Sequence, residues 1–403
     1  MTSATPSTPA TTAGRGRTWA FAAASASLVA VFAASASPIP VFNVYRAENG
    51  ITTADISLSV VAYFLGTIGA LLCLGRLANH LGRRPTALAT LLLLVAGSVV
   101  MIGVTGLAPL LAGRFLMGVG AGLASSALTT YIVDTAPARP DWLASVVTSQ
   151  ASMVGLTLGS LAAGALVQYV VGARTVVYVV MVVLLAVCVA LILMAPETGR
   201  RQPGAWASLR PRVFVPAHAR PLLPVATMVF ASTWALGAFY QSFVPTIARE
   251  QLRTDNALIV ALLFAAYMAP SVVGAPVGGR FAPAAAQRLG MLVYLSGVVG
   301  ILAGLVLGNV WLLVPATMVA SAGQGIAVSA SMRALLHGTD AADRAPVMSA
   351  IFLICYSGAM VPNIIAGQLS HVVGTVQIAF GYGVLAAAGT IVALLFARDP
   401  EDL

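Results

Sequence analysis

Twelve stretches of this chain are long and apolar enough to cross a bilayer, and that count restricts what the chain can fold into. A membrane helix needs about 20 mainly apolar residues, because the rise per residue must cover the hydrocarbon thickness. The stretches run approximately over 18–42, 57–78, 86–107, 108–133, 143–168, 173–195, 222–247, 256–279, 286–307, 309–335, 346–370 and 375–397. Runs of this length without period-2 alternation exclude strands and leave an all-α integral membrane protein. Turn chemistry or charge marks most breaks: Arg83-Arg84-Pro85, Pro140-Asp141, Gly308-Asn309 and the segment around Gly374.

Composition agrees. Hydrophobic residues make up 59% of the chain and charged ones 8%, against about 25% charged in soluble domains. A soluble enzyme, a disordered chain and a nucleic-acid-binding domain are excluded. The net charge of +9 comes from 21 arginines with no lysine. With both termini on the cytoplasmic side, sixteen arginines fall in cytoplasmic segments, four (Arg46, Arg174, Arg249, Arg253) on the other side, and Arg114 inside a span. This is the positive-inside bias. Lysine-free, Ala/Arg/Val-rich usage points to a high-GC bacterial genome and an inner (plasma) membrane. Cys73, Cys188 and Cys355 lie in separate apolar runs and read as small buried hydrophobes, with no metal site expected.

Residues 1–17, rich in Thr, Ser, Ala and Pro, read as a disordered cytoplasmic tail. A cleaved signal peptide is disfavoured, because its loss would leave an odd number of spans. The hydrophilic segment 197–221 then separates six-helix bundles at 18–196 and 222–397, with a cytoplasmic tail at 398–403. The halves repeat. Gly75-Arg76-Leu77-Ala78 recurs as Gly279-Arg280-Phe281-Ala282, Gly120-Ala121-Gly122 as Gly323-Gln324-Gly325, and Ser145 matches Ser349, at offsets of 203–204. Paired six-span repeats are a known secondary-transporter architecture, with substrate bound between them near the midplane.

The segment from Gly75 through Asn79 and His80 to Gly82-Arg83-Arg84 resembles motif A of the major facilitator superfamily, with Asn79 where that family usually has Asp. Arg114-x-x-Met117-Gly118-x-Gly120-Ala121-Gly122 is similar to motif B. Gly155-x-x-x-Gly159-Ser160-x-x-Ala163-Gly164 is similar to motif C of the drug/proton antiporter branch, with Ser160 in place of its proline. Pro196-Glu197-Thr198 closes span six as in many members. The resemblance implies two pseudo-symmetric six-helix bundles, an inner gate at Gly75, Arg76, Asn79, Gly82, Arg83 and Arg84, and proton coupling through Arg114. Without the Asp charge at position 79 the latch is expected to be weaker. Topology alone is the other reading of these arginines.

Residue by residue, Arg114 is the foremost candidate, since an ionisable side chain inside a span is costly. Snorkelling to the surface is its structural alternative. It shares a helix face with Gly118, Gly122, Ser125 and Thr129, a pattern expected to line a cavity. Gly155, Gly159 and Gly164 offer close packing or a hinge. Trp234, Tyr240, Gln241, Tyr267, Gln324, Tyr356 and Asn363 are candidate cavity residues, or else interhelical hydrogen-bonding groups. Pro38 and Pro40 should bend span one. Asp55 and Asp134 are coupling candidates that lie at helix ends, where solvation or capping also explains them. No acid occupies the middle of a span, which points away from lipophilic cations toward neutral or anionic compounds. The expected function is proton-coupled efflux of a small organic molecule or drug by alternating access. Uptake symport of a metabolite, or a non-transporting sensor, is the alternative. A monomer in a lipid bilayer, with no cofactor beyond the proton gradient, completes the expectation. The chain is not read as an enzyme, because no His-x-x-x-His or buried acid pair is present.

Overall fold

The computed structural model of the chain describes residues 10–137, 139–140, 143–199, 202–211, 213–340 and 343–402. Residues 1–9, Asp141, and Arg200, Arg201 and Arg212 from the cytoplasmic arginines counted above, lie outside the described residues. Helices dominate, and no strand occurs among the described residues. The twelve spans are Gly16–Asn49, Thr53–Leu74, Arg83–Ile102, Leu107–Thr135, Leu143–Tyr169, Ala173–Leu193, Ala217–Glu250, Ala257–Gly278, Pro283–Leu307, Val310–Leu336, Pro346–Leu369 and Thr375–Phe396, numbered one to twelve. The end carrying the connection between spans six and seven is called the linker end, and the opposite end the loop end.

Two differences from the sequence reading concern span one. Its helix begins at Ala10, inside the segment expected to be a disordered tail. It also runs to Asn49, because the turn at Ser37 is followed at once by a new helix with Pro38 at its first position. Proline there gives up no hydrogen bond and has its φ preset. The bend expected from Pro38 and Pro40 is this break.

The internal repeat is a packing repeat. A Cβ on Gly120 would meet Leu94 of span three, and one on Gly122 would lie 2.4 Å from the Thr67 carbonyl of span two. In the other half, Gly323 abuts Tyr294 of span nine, and Gly325 lies against the Ser271 carbonyl of span eight at 2.3 Å. Each Gly-x-Gly thus lets one helix approach two neighbours, against backbone at Gly122, Gly323 and Gly325 and against the Leu94 side chain at Gly120. Spans two and eight are both interrupted toward the linker end. Ala70–Leu74 is a π-helical turn, and Pro270 separates Ala257–Met268 from Ser271–Gly278. A π-turn inserts a residue, and proline removes a donor and clashes with the preceding turn.

Motif C packs without a hinge. Span five is continuous over Leu143–Tyr169. Cβ atoms on Gly155 and Gly159 would lie 2.5 and 2.1 Å from the carbonyls of Val29 and Ala33 in span one. Cys188 and Cys355 are buried, Cys73 is half-buried, and all three are free.

Enlarging Gly159 is therefore expected to cost more than the usual 1–3 kcal/mol, roughly, of overpacking, because the obstacle is backbone. Gly159→Val should lower the thermal unfolding midpoint of the detergent-solubilised chain sharply. Gly381→Val, with nothing within 4 Å, should leave it close to wild type. Equal midpoints for the two variants would contradict this packing.

Candidate substrate and gating sites

At the linker end, the turn between spans two and three depends on Gly82, whose φ of +104° favours glycine. Gly75 is different, because its backbone is right-handed, so only one of the two motif A glycines makes a left-handed turn. Span three begins with Arg83 and Arg84, cations placed unfavourably at a helix N-terminus. Glu197 offsets them, its carboxylate accepting from the backbone amides of Arg83 and Arg84 at 2.8 and 3.1 Å and from that of Gly199 at 2.8 Å.

The Arg83 side chain pairs with Asp134 of span four at 2.8 Å and donates to Asn79 Oδ1 at 2.6 Å. Asn79 thus meets Arg83 as a neutral acceptor, and the carboxylate charge comes from Asp134. Arg17 donates to the Asp134 carbonyl at 3.0 Å. Arg76 donates to the carbonyls of Ser208 and Arg210, His80 Nδ1 lies 3.1 Å from the Gln202 carbonyl, and Arg84 donates to Leu193 O. A polar cavity of about 510 Å³ opens among Arg17, Asn79, Arg83, Asp134, Thr198, Gly199 and Gln202. These motif A contacts join the first half to itself and to the linker.

The halves meet toward the loop end. Arg46 bridges Thr53 and Thr246 at 2.6 Å each, and Asn43 donates to the Pro245 carbonyl at 3.2 Å. The Ala257 amide donates to Gln168 Oε1 at 3.0 Å, and Ser160 to the Ala261 carbonyl at 3.4 Å. Asn363, fully buried, donates to the Ser57 carbonyl at 3.1 Å. Gly164 and Gly367 allow close approach to Ala257 and Ser57 across the same seam. Asn363, expected in a cavity, therefore joins the two halves. Asp55 is a capping residue: its carboxylate accepts from the Thr52 amide at 2.9 Å, while the Thr52 hydroxyl accepts from the Asp55 amide at 3.1 Å. This reciprocal pair closes the N-terminus of span two.

Arg114 is 0% exposed, which excludes snorkelling. Its Nη1 donates to the Ser35 carbonyl at 2.9 Å, its guanidinium lies 4.5 Å from the Tyr63 ring centroid, and Nη2 reaches Gln241 Oε1 of the other half at 3.5 Å. The face expected to line a cavity is in part a seam. Gly118 and Gly122 touch the span-two backbone at Tyr63 and Thr67, while Ser125 and Thr129 bond their own helix.

From Tyr63 a chain of rings leads on: Phe64 lies 5.7 Å from Tyr63, Tyr356 5.5 Å from Phe64, and Trp234 stands edge-on to Tyr356 at 5.0 Å. Tyr240 and Tyr267 are not cavity residues. They stack at 4.8 Å in the core of the second half, their hydroxyls bonded to Thr317 and to the Thr233 carbonyl. Gln324 Oε1 is buried with no partner among the described residues. The central group is thus Arg114, Tyr63, Gln241, Trp234, Tyr356 and Phe64. Sequence reasoning missed Tyr63 and Phe64, which look like ordinary apolar-span aromatics, and Arg46, which was counted only for topology.

Replacing Glu197 with Ala should cost about 1–2 kcal/mol, the range of a helix cap or dipole partner. Thermal unfolding of the solubilised chain measures this, and an unchanged midpoint would remove Glu197 from its assigned role.

Among solved structures, the fold is similar to a D-xylose-proton symporter (TM-score 0.73, 15% identity, covering 96% of this chain and 99% of that one). It is also similar to a POT family transporter in complex with 5-aminolevulinic acid (TM-score 0.71, 14% identity, covering 95% and 96%). A partially occluded inward open form of the xylose transporter XylE from E. coli matches with TM-score 0.71 at 14% identity, covering 96% and 99%. These show a shared fold. Curated relatives match over shorter stretches. An MFS-type transporter, pydD, of Acremonium is 37% identical over 95 residues, 24% of this chain and 17% of that protein. Monosaccharide-sensing protein 2 of Arabidopsis thaliana is 41% identical over 76 residues, 18% of this chain and 10% of that protein. The chain therefore spans less than a fifth of the length of either relative in these matches. Residues 23–361 match the profile of the Major Facilitator Superfamily, and the chain belongs to that family.

Proposed function

We propose that this chain is a secondary transporter that moves a small organic molecule across a bacterial inner membrane by alternating access. The proton gradient supplies the energy, no cofactor takes part, and a monomer is the working unit. The linker end faces the cytoplasm, as the arginine distribution supports. One observation carries the reading: the loop-end seal joins the halves mainly by hydrogen bonds and glycine contacts, while among the described residues the motif A side chains bond to their own half and the linker. Net hydrogen bonds of about 0.5–1.5 kcal/mol each can be broken and remade within one cycle. The state described is the one closed at the loop end.

When the halves rock, the loop-end bonds part and the motif A loop becomes free to meet the second half. Arg114, Gln241, Trp234 and Tyr356 lie where both halves contribute, so a bound molecule there is exposed to each side in turn. Export by proton antiport is the leading direction, with Arg114 as coupling residue. Symport inward is the alternative, and span five, an uninterrupted helix without the proline of the antiporter motif, favours it.

Three outcomes follow. Arg114→Ala should abolish proton-coupled flux in proteoliposomes without loss of folded protein, and normal coupled flux would sink its role. Cysteines replacing Gln168 and Ala257, in a chain whose native cysteines are serines, should stop flux when bridged by a short thiol cross-linker and recover it on cleavage. Gln202→Cys should react with an impermeant maleimide only in inside-out vesicles; labelling in right-side-out cells would reverse the topology. Flux measured in both directions decides between export and uptake.

A further inference from the structure

We propose that Arg114 anchors the acidic group of an organic anion, and that the Gln241 carboxamide occupies that place while no substrate is bound. The proposal deepens the transport reading above and rests on it.

A guanidinium carries five donors in a rigid plane. In Arg114 Nη1 is engaged by the Ser35 carbonyl, and the guanidinium carbon lies over the Tyr63 ring. The remaining edge is formed by Nε and Nη2. Nε has no hydrogen-bond partner among the described residues. Nη2 reaches Gln241 Oε1 only at 3.5 Å, beyond the usual 2.7–3.2 Å, roughly, of an N–H···O bond. This Nε/Nη2 edge is the one that takes both oxygens of a carboxylate in parallel bonds. Among the described residues no acid pairs with it. The ion pairs among the described residues are Arg83–Asp134 and Arg174–Glu48, both elsewhere. A fully buried cation whose Nε/Nη2 fork is met only by one distant neutral oxygen, with no counter-ion among the described residues, is half of a binding site.

The surroundings indicate the rest of the ligand. Trp234 lies on the Gln241 face of span seven, two turns toward the linker end, with Tyr356 and Phe64 beside it. An acid on Arg114 places an apolar or aromatic body against these rings. The ligand class is therefore a small organic monoanion with an apolar body. It replaces Gln241, a neutral acceptor from the second half, and so joins the two halves through one charge.

The test uses the full chain in nanodiscs and thermal unfolding against a panel of aromatic and aliphatic monocarboxylates, each beside its own carboxamide and primary amine. At least one acid should raise the midpoint while its amide and amine do not. Its half-saturating concentration should rise about tenfold or more in Arg114→Lys, which keeps the charge and loses the fork. It should fall in Gln241→Ala, which vacates the place. Stabilisation by amides or amines alone, by no compound, or by an acid acting equally on Arg114→Lys overturns the proposal. Flux on the same preparations separates the two readings. Movement of a neutral compound with no acid effect removes the anion site and keeps transport. An acid held by Arg114 with no flux keeps the site and removes transport.

Discussion

Inside a bilayer, apolar side chains gain nothing by meeting one another, so helices associate through close backbone approach, and glycine makes that approach possible. Within each half of this chain, Gly-x-Gly pairs hold spans four and ten against two neighbours apiece. Gly155 and Gly159 do the same for span five against span one. Most of these contacts set backbone against backbone and yield little. Each half is thereby a stiff unit, and what joins the halves differs in kind.

Between the halves the bonds are few, mainly neutral and gathered toward the loop end: Arg46 with Thr246, Asn43 with Pro245, Gln168 with Ala257, Asn363 with Ser57. Charge is concentrated instead at the linker end, where Glu197 and Asp134 organise the arginines that open span three. A rigid pair of bodies with a weak seam at one end and a self-satisfied charged loop at the other is the arrangement a rocking motion needs. The central Arg114–Gln241 contact lies across that motion, is long at 3.5 Å, and leaves Arg114 Nε without a partner among the described residues.

Much of this was legible in the residues. Span count, the repeat and the position of Arg114 follow from apolar run length, constant offset and a lone charge in a run. Motif A was legible as a turn, but its partners were not, because Asp134 and Glu197 are distant in sequence from Arg83 and only folding brings them together. Cavity membership was the weakest inference. Tyr240, Tyr267 and Asn363 have the polar atoms a cavity needs, yet tyrosine hydroxyls can be satisfied by a neighbouring helix, as Thr317 and the Thr233 carbonyl show. Helical periodicity gives a face and not what the face meets, which is why the Gly118–Gly122 stripe proved to be a seam.

The account stands or falls on two stiff halves moving about a central site. Spin-label distances test it most directly, with one pair at the loop end (Glu48 and Asp255, which line one cavity there) and one at the linker end (Ser145 and Arg344). In nanodiscs, across pH and with candidate solutes, the account predicts that the two distance distributions shift in opposite senses, one lengthening as the other shortens. Distances that stay fixed under every condition, or that lengthen together, would contradict it.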